Sequence, residues 1–284
     1  SCVTAAGAEG RWLSAQPVTF TVTVANPADY ALGLVTSSLD ITRPLQVTVD
    51  DRFLGQINLT GNETRRDYLL TRLSVGEHEI LLAPPATTEA RQLCLQEMNL
   101  QLVYVQPDST DLRVDANPFV IGENARLQRM SNRPAAVGAG AGTVIQAGLW
   151  FSNTGNYTLN VDGLHDRPGP VQIQAELDGK PLEQTLDYAR NDYTWTPRAV
   201  RMPVGTAGYH RLRLNFTNDL YDTSLVANKE DGDRNAAIDF FTISTLSAPV
   251  IAMVNQATFV AAQETDMMPP GTAVVETGGV RAIM

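Results

Sequence analysis

Arg211-Leu-Arg-Leu-Asn-Phe-Thr-Asn-Asp219 and Asp233-Arg-Asn-Ala-Ala-Ile-Asp-Phe-Phe-Thr-Ile243 are the stretches whose reading decides the fold. Apolar and polar residues alternate in each, which is the period of a half-buried β-strand. Between them lies a loop carrying Asp219, Asp222, Glu230, Asp231 and Asp233. So many carboxylates in one loop repel each other. They stand in solvent, or a hard cation such as Ca²⁺ holds them through oxygen ligands.

Working outward, the same period recurs in short runs. Val18-Thr-Phe-Thr-Val-Thr-Val24, Leu45–Val49, Glu79–Leu82, Leu100–Val105, Tyr157–Val161 and Val171–Ala175 all alternate, and Gly, Pro, Asn and Asp separate them. No stretch holds a helical period for three turns. The reading is all-β, of the sandwich type.

The runs repeat. Asn26-Pro-Ala-Asp-Tyr-Ala-Leu32 matches Asn153-Thr-Gly-Asn-Tyr-Thr-Leu159, and Val75-Gly-Glu-His-Glu-Ile-Leu-Leu82 matches Ala207-Gly-Tyr-His-Arg-Leu-Arg-Leu214. The offset stays near a constant value of about 130 residues, as two copies of one domain require. The expected organisation is a first sandwich over 1–106, a linker over 107–118, a second sandwich over 119–247 and an extended tail over 248–284. The tail is too short of apolar residues for its own core and too apolar for comfortable disorder. It is expected to lie along the protein's own surface or on a partner.

Composition excludes whole classes. The 284 residues are 43% apolar and 18% charged, which is globular. A formal charge of −10 and the lack of a Lys/Arg cluster exclude nucleic acid. No apolar run approaches the roughly 20 residues that a bilayer span needs. No charged and then apolar leader opens the sequence, so it is read as starting after signal cleavage or as never having had a signal. Cys2 and Cys94 both fall in the first copy and read as a disulfide, with two buried thiols or a lipid-bearing Cys2 as alternatives.

Other chemistry is thin. His78 and His210 occupy equivalent places in the repeat, which reads as scaffold, and no pair of histidines has metal-ligand spacing. Asp231, Asp233 and Asn235 have EF-hand spacing, but Ala236 and Thr242 stand where the Gly and Glu belong. Tyr188, Tyr193 and Trp195 form an aromatic group that either stacks on a sugar or faces a core.

The second copy resembles the calcium-dependent β-sandwich carbohydrate-binding modules, especially the small xylan-binding types. The residues that carry the resemblance are Phe216-Thr-Asn-Asp-Leu-Tyr221, Asp233-Arg-Asn235 and Ile238-Asp-Phe240. The first copy resembles the fold in its scaffold alone. The resemblance implies a bound Ca²⁺ that touches sugar hydroxyls, held by Asp219 and Asp233, with Asp231 and Glu230 as second choices. It also implies a structural calcium between Glu123 and Asp239, and a sugar-facing ring from Tyr188, Tyr193, Trp195 or Tyr221. Terminal strands are neighbours in such sandwiches, which would bring Cys2, on the first strand, to Cys94, just ahead of the last. The expected function is non-catalytic, exported, calcium-binding carbohydrate recognition. The alternative is an accessory subunit docked on a larger envelope assembly through its sandwiches and tail.

Overall fold

The computed structural model describes residues 2–3, 9–39, 43–59, 64–89, 91–107, 110–115, 121–166, 170–188, 194–224, 232–245, 274–277 and 280–283. Two compact units emerge, one of Ser1–Val103 with Pro269–Met284 and one of Tyr104–Met268.

The first unit opens with β1 (Cys2–Val3), β2 (Glu9–Leu13), β3 (Val18–Val24) and β4 (Ala28–Ser38). Then come β5 (Leu45–Val49), β6 (Arg52–Ile57), β7 (Thr64–Leu73), β8 (Gly76–Ala83) and β9 (Leu93–Leu102). One sheet runs β1-β2-β9-β4-β7 and the other β3-β8-β5-β6. Alternation puts Phe20, Val22 and Val24 of β3 inside and leaves the intervening threonines outside. They meet Leu32 and Leu34 of β4, Leu45 and Val47 of β5 and Ile80 and Leu82 of β8 in one core.

The second unit holds β10 (Tyr104–Gln106), β11 (Leu112–Asp115), β12 (Ala125–Met130), β13 (Arg133–Gly138), β14 (Gly142–Phe151) and β15 (Gly155–Asp166). It continues with β16 (Val171–Leu177), β17 (Lys180–Pro181), β18 (Leu186–Tyr188), β19 (Thr196–Val204), β20 (Gly208–Phe216), β21 (Leu220–Tyr221) and β22 (Asp233–Thr245). One sheet runs β10-β14-β20-β16-β17, with β18 on β16. The other runs β12-β13-β22-β15-β19, with β11 and β21 on β22. Their inner faces share a core of Leu149, Phe151, Val161, Leu212, Leu214, Phe216, Phe241 and their neighbours.

Part of the stretch expected as a linker is a strand. Leu112–Asp115 pairs antiparallel with Phe240–Ile243. The turn formers around it masked the alternation of Leu112 and Val114 with Arg113 and Asp115. The tail also contains structure: β23 (Val274–Thr277) and β24 (Val280–Ile283) form an antiparallel hairpin. It lies against β2, β3 and β9 of the first unit.

The repeat is visible atom by atom. The Tyr30 hydroxyl donates to Asn26 O at 2.8 Å and the Tyr157 hydroxyl to Asn153 O at 3.0 Å. His78 bridges Asp50 and Ser74 O, as His210 bridges Asp178 and Thr206 O. A β-bulge interrupts the pairing of β4 with β9 after Val35, and that of β15 with β22 after Asp162. Cys2 and Cys94 form a disulfide with Cα atoms 6.3 Å apart. Cys94 lies within β9 rather than ahead of it. Gly10 faces Cys2 across β1 and β2, and a Cβ there would meet both sulfurs at 2.8 Å.

Candidate functional site

Phe216 ends β20 as a buried anchor and pairs with Gly142 and Ile173. Past it the chain leaves the sheet but stays tied to β16. Thr217 N donates to Gln172 O at 3.0 Å. The Asn218 side chain then does the work of a backbone amide: its Oδ1 accepts from Gln172 N at 2.8 Å, and its Nδ2 donates to Pro170 O at 2.7 Å. Arg234 reaches across to donate from Nη1 to Asn218 O at 2.7 Å.

Beyond this clamp, Leu220 pairs with Arg234 and Tyr221 with Asp233. Asp222 N donates to Gly232 O at 2.7 Å. Asp222 Oδ1 accepts from Ser224 N and Oγ, a local turn of the Asx kind. The base of the acidic loop is therefore a short pinned ribbon. Glu230 and Asp231 lie outside the described residues.

The resemblance motif thus divides into parts with separate duties. Phe216, Asn218 and Arg234 hold the base. Asp219 is exposed and Asp233 half-buried. Tyr221 is 60% exposed, enough to offer a ring face. As a cross-strand pair, Tyr221 and Asp233 have neighbouring side chains. Asp233 Oδ2 accepts from Asn235 Nδ2 at 3.2 Å, and Asn235 Oδ1 is buried without a partner. Among the described residues no three His, Cys, Asp or Glu converge to hold a metal. The two carboxylates of Asp219 and Asp233 are fewer than the six to eight oxygens that a calcium ion takes.

Other expected residues lie elsewhere. Tyr188 is a correction: it is 3% exposed, and its hydroxyl donates to Val161 O at 3.0 Å inside the core. Its ring packs on Gly163, where a Cβ would come within 2.5 Å of it. Burial pushes its phenol pKa far up, the nearby Asp162 charge adding to the rise. The pairing of Asp239 with Glu123 is a second correction. Asp239 accepts from Arg133 Nη1 at 3.2 Å, and the same nitrogen donates to Asp162 at 2.9 Å. The cation facing Asp239 is thus a guanidinium. Glu123 sits exposed in the turn before β12, which enters the sheet at the Gly138 end of β13, away from Arg133. Trp195 is half-buried beside Arg133, and Tyr193 lies outside the described residues.

The Arg133, Asp162 and Asp239 cluster had no signature in the sequence, because no spacing rule links three strands so far apart in the chain. Burial pushes both carboxyls up against the pull of Arg133, and the Asp162 charge raises Asp239 further. A groove of about 710 Å³ lies at the other end of β20, beside Asp178, Lys180, Arg201 and His210. It does not adjoin the acidic loop, whose chemistry is the more specific.

No protein-family model matches the chain, and no curated protein does. Solved structures do. A CBM36-1 domain of a multidomain xylanase from the hindgut metagenome of Trinervitermes trinervoides is 12% identical, covering 49% of this chain and 100% of its own, with a TM-score of 0.36. A family 35 carbohydrate-binding module from Clostridium thermocellum is 14% identical over 48% of this chain and 99% of its own, with a TM-score of 0.38. A carbohydrate-binding module CBM36 in complex with calcium and xylotriose is 16% identical over 46% of this chain and 98% of its own, with a TM-score of 0.32.

Proposed function

We propose that the second unit is a calcium-dependent carbohydrate-binding module of the xylan-binding type, within a non-catalytic protein that works outside the cytoplasm. One observation carries the reading. The loop base is pinned by Asn218 and Arg234, while Tyr221 pairs across the ribbon with half-buried Asp233, and Asp219 and Tyr221 are exposed. That division suits an ion held by carboxylates with its outer face open to sugar hydroxyls and a ring beside it. Asp231 and Glu230 are the further ligands proposed. The Cys2–Cys94 disulfide supports an oxidising compartment. Among the described residues no helix is long and apolar enough to cross a membrane.

The test is calorimetric titration of the full chain with xylohexaose, in Ca²⁺ and in chelator, with thermal melts alongside. Calcium at about 100 times its Kd adds about 2.7 kcal/mol to the second unit by mass action. The expected result is a higher melting temperature in Ca²⁺ and calcium-dependent sugar binding that Asp219→Asn removes. A melt indifferent to chelator, together with no metal in an elemental assay, refutes it.

A further inference from the structure

β22 slips register against β15 at one point. Phe240 faces Asp162 and Ile238 faces Gly163, so Asp239 is the extra residue of a bulge. Bulges re-aim side chains. Here Asp239 joins Asp162 on the face of the sheet that turns away from the main core. Val161, Ile238 and Phe241 belong to that core, whereas Ala135, Val137, Leu164 and Ala237 form a separate small cluster packed by Met130 and Trp195.

On this outer face Arg133 Nη1 donates to one oxygen of Asp162 and one of Asp239, at 2.9 and 3.2 Å. Each carboxylate keeps its second oxygen as an acceptor, and the guanidinium keeps further N–H donors. The Trp195 ring lies 5.5 Å from that guanidinium. Its indole Nε1 is buried with no hydrogen-bond partner, where such a group normally finds one. Arg113 stacks on Phe240 at 3.3 Å next door.

The ligand follows by elimination. An anion is repelled by Asp162 and Asp239, and a cation has to displace Arg133, which already binds both carboxylates. A wholly apolar ligand strands the three charges without water. A neutral pyranose chain suits the mixed charges: its hydroxyls donate to the carboxylates and accept from the guanidinium, and its C–H face covers the Trp195 ring. We propose that this outer face is a second carbohydrate site, independent of calcium. Asp233 opens β22 and Asp239 sits at its middle. Their separation along the strand is on the order of 20 Å at the usual rise per residue, so the two sites are distinct.

The first unit is the control. It has the same bulge, but there Val35 stands where Asp162 does and Gln96, the extra residue, where Asp239 does; Gln96 Nε2 donates to Ser37 Oγ at 3.1 Å and to Thr64 Oγ1 at 3.4 Å. Neither of those two positions carries a carboxylate, so the charged cluster belongs to the second unit alone.

The experiment uses the full chain in excess chelator, which silences any calcium site. Xylohexaose, cellohexaose and maltohexaose are titrated by calorimetry and tryptophan fluorescence. The expected result is weak binding of at least one, weakened roughly tenfold in Trp195→Ala. Asp239→Asn, which keeps shape, should weaken it too, while Asp219→Asn removes only calcium-dependent binding. Melts establish that each variant is folded. If Trp195→Ala does not fold, Asp239→Asn decides. No binding of any of the three sugars in chelator overturns the proposal, as does binding unchanged in the folded variants. Loss of calcium-dependent binding alone bears on the loop site and leaves this one standing.

Discussion

Raising the pH should loosen both units through one device that each contains. His78 is 7% exposed and His210 is 4% exposed. Nδ1 lies 2.6 Å from the carboxylate of Asp50 or Asp178 in either case. Nε2 lies 2.9 Å from Ser74 O and 2.7 Å from Thr206 O. Both partners only accept, so both ring nitrogens must donate, and the ring must be an imidazolium. Burial pulls each histidine pKa down, but the bonds to carboxylate and carbonyl outweigh it and leave the pKa raised. For the aspartates burial pushes up, and the histidine and a backbone N–H outweigh it, leaving the pKa lowered.

The signs then follow from linkage. A histidine raised above its unfolded value of about 6.5 stabilises fully below that pH, and the contribution is lost as pH rises through the folded pKa. The lowered aspartates stabilise above about 3.8 and lose that contribution as pH falls through their folded pKa. Stability should therefore be flat between about pH 4 and about pH 6.5. Above that, each unit holds up to one proton more folded than unfolded, so it loses at most about 1.4 kcal/mol per pH unit until the ring titrates. At this size that is at most about 5 °C per pH unit in melting temperature. Asp178→Asn keeps the shape and the positive φ of 53° but trades a charged hydrogen bond for a neutral one. The Asp178 side chain is 48% exposed. Solvent screening therefore discounts the cost to about 1 kcal/mol. Calorimetric melts from about pH 5 to about pH 9 on the wild type, Asp50→Asn and Asp178→Asn test this, each variant flattening the slope of its own unit. Melting temperatures that stay level or rise across the alkaline half of that range would show the imidazolium assignment to be wrong.

Reducing the Cys2–Cys94 bond opens a loop with a sequence separation of 92 residues. It should cost the first unit alone about 4 kcal/mol in the chain-entropy model, read as a drop in one of two calorimetric transitions. Gly10→Ala should lower the same transition, because its Cβ meets both sulfurs. Tyr188→Phe removes the bond to Val161 O. It should cost the second unit about 1 kcal/mol in denaturant melts, with sugar binding unchanged.

The strands were legible because β3, β16 and β20 alternate cleanly, and a face that must be buried fixes its own register. The doubled histidines were legible as scaffold because both copies place them alike. Position along the chain revealed less about direction. Tyr188 belongs to a group of aromatic residues near Trp195, and only the third dimension shows its ring resting on Gly163. Asp239 misled for a related reason. Its motif neighbours carry the resemblance, but its partner Arg133 comes from β13 and its companion Asp162 from β15. The bulge that turns Asp239 toward them leaves no mark on an apolar run.

The two units act as internal controls for each other. A feature held by both is explained by the scaffold they share: the tyrosine bond to a carbonyl four residues back, the imidazolium clasp and the bulge. A feature held by one needs a separate cause. The ribbon of Leu220–Tyr221 on Asp233–Arg234 has no counterpart in the sequence after Leu82, where Ala83-Pro-Pro-Ala-Thr-Thr-Glu-Ala-Arg-Gln92 runs on nearly free of carboxylates. The half-used carboxylates of Asp162 and Asp239 likewise stand where the first unit has Val35 and Gln96. Burying carboxyls with spare acceptor capacity carries a charge-desolvation cost that Val35 and Gln96 avoid. Ligand recognition is the role that offsets such a cost, so both unshared features direct the search for function to the second unit.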